Sequence, residues 1–190
     1  MLHYIFENIH FNDNTKWDHV IDNALDLFLP QQKEEYRPFL NQMLEEILNA
    51  PIHIDDDTFK LADVNPYKCI NEFEFDFDVN PFYPQSLTTL STDDVLIDVK
   101  NFPEIEGLMN GKIDLFFEHK GKYYVLDWKS NYLGDNLENY NLENLALAMN
   151  ENNYHLQYLI YTLAVKKYLE SRLKNFNYKY QFGGVIYLYV

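Results

Sequence analysis

The amino-acid sequence predicts an α/β domain: a mixed β-sheet flanked by helices and preceded by a helical N-terminal segment. Three observations carry this. Apolar residues recur at helical spacing between residues 2 and 49. A run at 70–79 alternates apolar and acidic side chains. Two apolar segments at 111–119 and 122–129 meet at Lys120-Gly121, and a helical stretch and a last apolar segment follow. Helices, then strands, then a helix and a strand is the order of an α/β fold on a mixed sheet.

Residues 2–8 read as part of a helix. Residues 15–29 read as a second, with Trp17, Val20, Ile21, Ala24, Leu25 and Phe28 on one face and Pro30 as its stop. Residues 33–49 read as a third, with Phe39, Met43, Ile47 and Leu48 on one side and Pro38 in its first turn. Asp55 to Asp57 predict a turn or exposed loop. In 70–79, Phe73, Phe75, Phe77 and Val79 alternate with Glu72, Glu74, Asp76 and Asp78, and Pro81 and Pro84 end the strand. Ile70 falls outside that alternation. A further strand is expected at 94–100, a long helix at 154–174, and a last strand at 185–190 after Gly183-Gly184.

The segments at 111–119 and 122–129 form a hairpin. A short loop at Lys120-Gly121 sets a register that puts Asp114 directly opposite Asp127. Opposed side chains on adjacent strands have Cβ atoms about 4.5–5.5 Å apart. Ile113, Leu115 and Phe117 then face the core with Trp128, Leu126 and Tyr124, while Lys129 shares the face of the two aspartates. Two carboxylates at that distance repel, and one is driven to take a proton unless a cation lies between them. Mg²⁺ prefers such oxygen ligands. A lysine beside it can hold an attacking water or stabilise charge on a phosphate. This combination suggests metal-assisted phosphodiester hydrolysis.

Composition narrows the alternatives. A single cysteine, Cys69, excludes an internal disulfide framework and an iron–sulfur cluster held by four cysteines of one chain. There is no run of about 18 apolar residues to span a membrane and no signal-peptide pattern, so a cytoplasmic location is expected. No Gly-x-x-x-x-Gly-Lys-Ser/Thr loop is present, so no ATPase is expected. Residues 1–111 hold 22 acids against 6 bases and residues 112–190 hold 8 against 9, so the net charge of −15 resides in the first part, where a solvated acidic face is the plain reading.

The stretch Gly111-Lys112-Ile113-Asp114-Leu115, a gap of twelve residues from Asp114 to Asp127, and Tyr124-Val125-Leu126-Asp127-Trp128-Lys129-Ser130-Asn131 resemble the core of the PD-(D/E)XK nucleases. They resemble in particular the RecB-type nuclease domains of exodeoxyribonuclease V. Gln157-Tyr158-Leu159-Ile160-Tyr161-Thr162-Leu163-Ala164 is similar to that family's downstream helix, and Phe182-Gly183-Gly184-Val185-Ile186-Tyr187-Leu188 to its last strand. Trp128 stands where the family usually has tyrosine. The resemblance implies a restriction-endonuclease-like core and a Mg²⁺-dependent deoxyribonuclease with one or two ions, for which Mn²⁺ or Ca²⁺ can substitute. It implies metal ligation by His3 (in Leu2-His3-Tyr4-Ile5-Phe6-Glu7), Asp114, Asp127 and the Trp128 carbonyl. It also implies catalytic roles for Asp114, Asp127, Lys129, Gln157 and Tyr161, with Tyr161 equally readable as a core residue. Glu72 matches an acidic position on the strand before the hairpin. The other five histidines match no motif.

The same resemblance implies that residues 1–190 are one nuclease domain and a piece of a longer helicase–nuclease chain. Its partners would be DNA, RecC- and RecD-type subunits and, in some settings, a RecA-type recombinase, in double-strand-break repair and recombination. His3, two residues from Met1, is then expected to fray. A second reading is a catalytically weak or inactive nuclease-fold module that docks a RecA-type recombinase. A third is an acidic structural domain with no ligand. Because phosphate contacts need cations, the net charge of −15 predicts that the isolated chain binds DNA weakly and only at low salt. Tight binding near physiological ionic strength in an anisotropy titration would contradict this.

Overall fold

The structure, a computed structural model, describes residues 1–54, 57–99 and 102–190. Two compact units interleave along the chain. The first comprises Met1–Phe73, Ile113–Ser130 and Asn177–Val190; the second comprises Glu74–Lys112 and Asn131–Phe176.

The first unit begins with α1 (Leu2–Asn8), α2 (Trp17–Phe28) and α3 (Lys33–Asn49). In α2, Trp17, Val20, Ile21, Ala24 and Leu25 are buried, as the periodicity predicts, but Phe28, in the last turn of the helix, is exposed. In α3 the buried row is Leu40, Leu44 and Leu48, and Phe39 is exposed. That row follows the i, i+4, i+8 line of one helix face, and Met43 and Ile47 pack only partly against the core. The helix starts at Lys33, so Pro38 lies inside it rather than in its first turn. Glu34 and Glu35 occupy that first turn and favour a helix start there through the macrodipole.

A short hairpin, β1 (Ile52–Ile54) with β2 (Asp57–Phe59), follows, with Ile52 opposite Phe59. Of the turn expected at Asp55 to Asp57, Asp57 instead opens β2, and Asp55 and Asp56 lie outside the described residues. The main sheet has four strands in the order β3 (Cys69–Phe82), β4 (Ile105–His119), β5 (Lys122–Lys129), β6 (Phe182–Tyr189). β5 pairs antiparallel with β4 and parallel with β6, so the sheet is mixed. This is the α/β architecture that the sequence predicts, with its N-terminal helical segment. Residues from α1, α2, α3, β4, β5 and β6 share one apolar cluster, which includes Phe6, Leu25, Leu44, Phe117, Leu126, Trp128 and Ile186.

β3 and β4 each contribute to both units. In β3, Phe73 and Phe75 are buried while Glu74, Asp76 and Asp78 are exposed, as the alternation requires. β4 starts at Ile105, earlier than its apolar run suggests. The second unit also contains α4 (Leu142–Glu151) and α5 (Tyr154–Arg172). α4 was not expected from the sequence, although Leu142, Leu145, Ala146 and Met149 recur at helical spacing; of its residues only Ala148 is buried. α6 (Tyr178–Gln181) is a single turn leading into β6 in the first unit.

The strand expected at 94–100 is absent over 94–99, and Lys100 lies outside the described residues. Asparagine side chains take the place of a neighbouring strand. Asn150 accepts from the Leu96 amide (2.8 Å) and donates to the Asp94 carbonyl (3.2 Å). Asn153 accepts from the Asp98 amide (3.3 Å) and donates to its carbonyl (3.0 Å). These amides satisfy a backbone that would otherwise need a ladder partner.

β6 begins at Phe182, so both glycines lie inside the strand. The register shifts there: Tyr123 pairs with Phe182 but Tyr124 pairs with Gly184, which makes Gly183 the extra residue. A Cβ on Gly183 would lie 2.2 Å from the Tyr124 ring, which is fully buried. Gly183→Ala is therefore expected to destabilise the fold by about 1–3 kcal/mol through overpacking. Chemical denaturation checks this, and an unchanged midpoint would contradict it. Burial pushes the Cys69 thiol up to about 11. Its alkylation by iodoacetamide at pH 8 is expected to be slow in the native protein and to speed up in denaturant, because only the thiolate reacts.

Candidate metal and phosphodiester site

The Lys120-Gly121 turn has positive φ at both positions, 50° and 83°, as a two-residue hairpin loop requires. It sets the predicted register: His119 pairs with Lys122, and the pairing runs to Leu115 opposite Leu126. Asp114 and Asp127 are the next residues on each strand. Leu115, Phe117, Tyr124, Leu126 and Trp128 face the helical core, as expected. The opposite face is not open, however. Phe116 and Val125 are buried there too, with Phe73 packed at 5.3 Å from Phe116. Alternation alone could not reveal a hairpin covered on both sides.

α1 brings His3 to this hairpin. Its Ile5 and Phe6 are buried, and the Phe6 ring stacks on Trp128 with centroids 3.8 Å apart and planes at 11°. Phe11 meets the same indole edge-on at 6.3 Å. These contacts anchor α1 on Trp128 and set His3 at the end of β5. His3 Nε2 lies 3.1 Å from the Trp128 carbonyl oxygen and 3.5 Å from Asp114 Oδ2. Asp114 Oδ2 also accepts the Trp128 amide hydrogen at 2.8 Å.

Asp127 and Lys129 are buried, with side chains 6% and 8% exposed, and are paired at 2.6 Å between Oδ2 and Nζ. The Lys129 ammonium also lies 4.9 Å from the centre of the Tyr187 ring. The two aspartates thus have separate partners rather than a bare carboxylate contact. Burial raises the Asp114 carboxyl above the ordinary aspartate range; the Trp128 amide and His3 pull the other way, and the charges of Asp127 and Glu72 add to the rise. Glu72 adopts a left-handed backbone, φ 52°, inside β3, a conformation uncommon for a residue with a side chain.

Donors bound to Mg²⁺ at about 2.1 Å and at right angles are about 3 Å apart. The spacings from His3 Nε2 to the Trp128 carbonyl oxygen and to Asp114 Oδ2 are near that size. The half-buried Asp114 carboxyl lies near the negative charges of Asp127 and Glu72, an arrangement that a cation would relieve. The donor set fits a divalent ion, with a main-chain oxygen as one member. Among the described residues, no group of three or more His, Cys, Asp or Glu side chains is placed to hold a metal by side chains alone.

Gln157 and Tyr161 belong to the second unit, on α5. Gln157 Nε2 donates to the Tyr161 hydroxyl at 2.8 Å, which donates to the Lys112 carbonyl at 3.1 Å. Tyr161 is buried and meets Phe75 edge-on at 6.2 Å, so its polar and packing roles coexist. Tyr187 was not singled out from the sequence. Only a parallel β5–β6 pairing, not legible in either strand alone, would have pointed to it.

No family model matches the chain. Curated relatives match it along its whole length. They include the RecBCD enzyme subunit RecB of Haemophilus influenzae (36% identical), of Buchnera aphidicola from Acyrthosiphon pisum (34%) and of Escherichia coli K12 (32%). The chain spans 16% of the length of each of these relatives. Identity at that level over all of its residues means that the chain belongs to the RecB family, as a match to one portion of that subunit.

Proposed function

We propose that the chain is a Mg²⁺-dependent deoxyribonuclease domain that hydrolyses phosphodiester bonds. The observation that carries this is the convergence of His3 Nε2, Asp114 Oδ2 and the Trp128 carbonyl beside the buried Asp127–Lys129 pair. Membership of the RecB family supports it. His3, Asp114 and the Trp128 carbonyl would hold the ion, and Asp127 supplies the adjoining negative charge. Bound there, Mg²⁺ contributes Lewis acidity toward a phosphate oxygen and toward water. Lys129 Nζ orients the attacking water for in-line displacement at phosphorus and faces the charge that develops on the phosphate oxygens. The walls around Lys129 exclude bulk water, which strengthens each of these interactions. In a RecBCD-type assembly the domain would act on DNA delivered by the helicase portion of the parent chain and by RecC- and RecD-type subunits, in the repair and recombination of broken DNA.

Asp127→Ala and Lys129→Ala are each expected to lower Mg²⁺-dependent cleavage of linear DNA by at least about 100-fold. Circular dichroism would verify that both variants fold. Cleavage equal to that of the unsubstituted chain in both would sink the mechanism.

A further inference from the structure

In the parallel pairing of β5 with β6, Tyr187 stands beside Asp127 and Tyr189 beside Lys129. Paired neighbours project to the same face and successive residues to opposite faces. Tyr187 therefore shares the face of Asp127 and Lys129, while Ile186 and Leu188 turn into the helical core. The Lys129 ammonium sits 2.6 Å from Asp127 Oδ2 and 4.9 Å from the Tyr187 ring centre. A carboxylate and an aromatic ring thus both contact one nearly buried cation.

We propose that Tyr187 is a positioning residue for Lys129, its ring helping to hold the ammonium in the orientation from which it meets the attacking water. This rests on the nuclease reading above. A lysine stem is long and flexible and its ammonium is a point charge without a preferred plane, so contact with one carboxylate oxygen sets its position more than its orientation. A second carboxylate would fix it but would place another anion where a phosphate must approach. An aromatic face attracts the cation through its quadrupole and brings no net charge. The hydroxyl takes no part in that attraction, so phenylalanine should serve as well as tyrosine.

The test compares the chain carrying Tyr187→Phe or Tyr187→Leu with the unsubstituted chain, with Mg²⁺ and linear DNA. The phenylalanine variant is expected to keep kcat within about twofold, and the leucine variant to lose about tenfold in kcat with little change in KM. Equal kcat for leucine and the unsubstituted chain overturns the proposal, and so does a loss in phenylalanine as large as that in leucine. A second measurement does not depend on activity. In lysine-labelled protein, the Lys129 ε-proton resonance, assigned through Lys129→Arg, should be shifted upfield by the ring in the unsubstituted chain and in Tyr187→Phe, and should lose that shift in Tyr187→Leu. An unshifted Lys129 resonance in the unsubstituted chain overturns the proposal. Should the unsubstituted chain lack Mg²⁺-dependent cleavage, the nuclease reading fails, and the resonance alone decides whether Tyr187 holds Lys129.

Discussion

The stacking of Phe6 on Trp128 is the contact on which the site depends. Trp128 serves two purposes that strand geometry keeps apart. Its indole points into the helical core, between Phe6 and Phe11. Its amide and carbonyl lie in the plane of the sheet, where one donates to Asp114 and the other faces His3. A stacked aromatic pair contributes about 0.5–1.5 kcal/mol beyond the area it buries. More important here, it fixes the rotation of α1. With Ile5 and Phe6 pressed into the core, His3 on the same short helix is carried to the end of β5. A smaller residue at either position would leave His3 on a helix of seven residues with little to orient it.

The second constraint is electrostatic. Asp127 and Lys129 are buried at the end of a strand covered on both faces. Removing two charges from water is costly, and a buried pair is often less stabilising than an apolar pair of the same volume. Stability alone does not call for such a pair, and buried charges of this kind cluster at functional sites, in line with the role proposed for Lys129. Asp114 leans the same way: its carboxyl is raised by burial and by the neighbouring charges of Asp127 and Glu72. The first unit has gathered negative charge at one edge of its sheet and set one buried cation beside it.

The hairpin was legible because two independent signals agree on it. Lys120-Gly121 accepts the left-handed conformation that a two-residue loop needs, and the apolar positions on both strands fit the resulting register. The amphipathic α2 was legible for a similar reason, since its apolar residues form one stripe. The features that escaped are those whose partners are remote. α4 has apolar residues at helical spacing, but it buries only Ala148 and stands in a stretch rich in asparagine that reads as loop. Residues 94–99 are apolar enough for a strand, but Asn150 and Asn153 satisfy their backbone. Phe39 and Leu40 are adjacent and both apolar, and only packing decides that Leu40 is the buried one. Gly183 and Gly184 suggested a loop before the last strand, whereas close approach of the β6 backbone to the Tyr124 ring makes Gly183 a bulge within it. At the candidate site, the spacing of Asp114, Asp127 and Lys129 was enough to single these residues out. The contact of Tyr187 with Lys129 needed the third strand.

That third strand bears on how the site assembles. Its members come from three separated stretches: His3 from the first, Asp114, Asp127, Trp128 and Lys129 from the second, and Tyr187 from the last, all within the first unit. Contacts between such distant residues require closing long loops before any stabilisation is gained. Neither the imidazole contact nor the aromatic wall can exist in a partly folded chain that has formed only the hairpin, although that hairpin is the most local and most strongly specified piece of the sheet. The proposed chemistry therefore requires both α1 docked on Trp128 and β6 paired with β5. An ion that binds only the completed arrangement stabilises it in proportion to its affinity and concentration, which ties the integrity of the helical core to the charge balance at the end of β5.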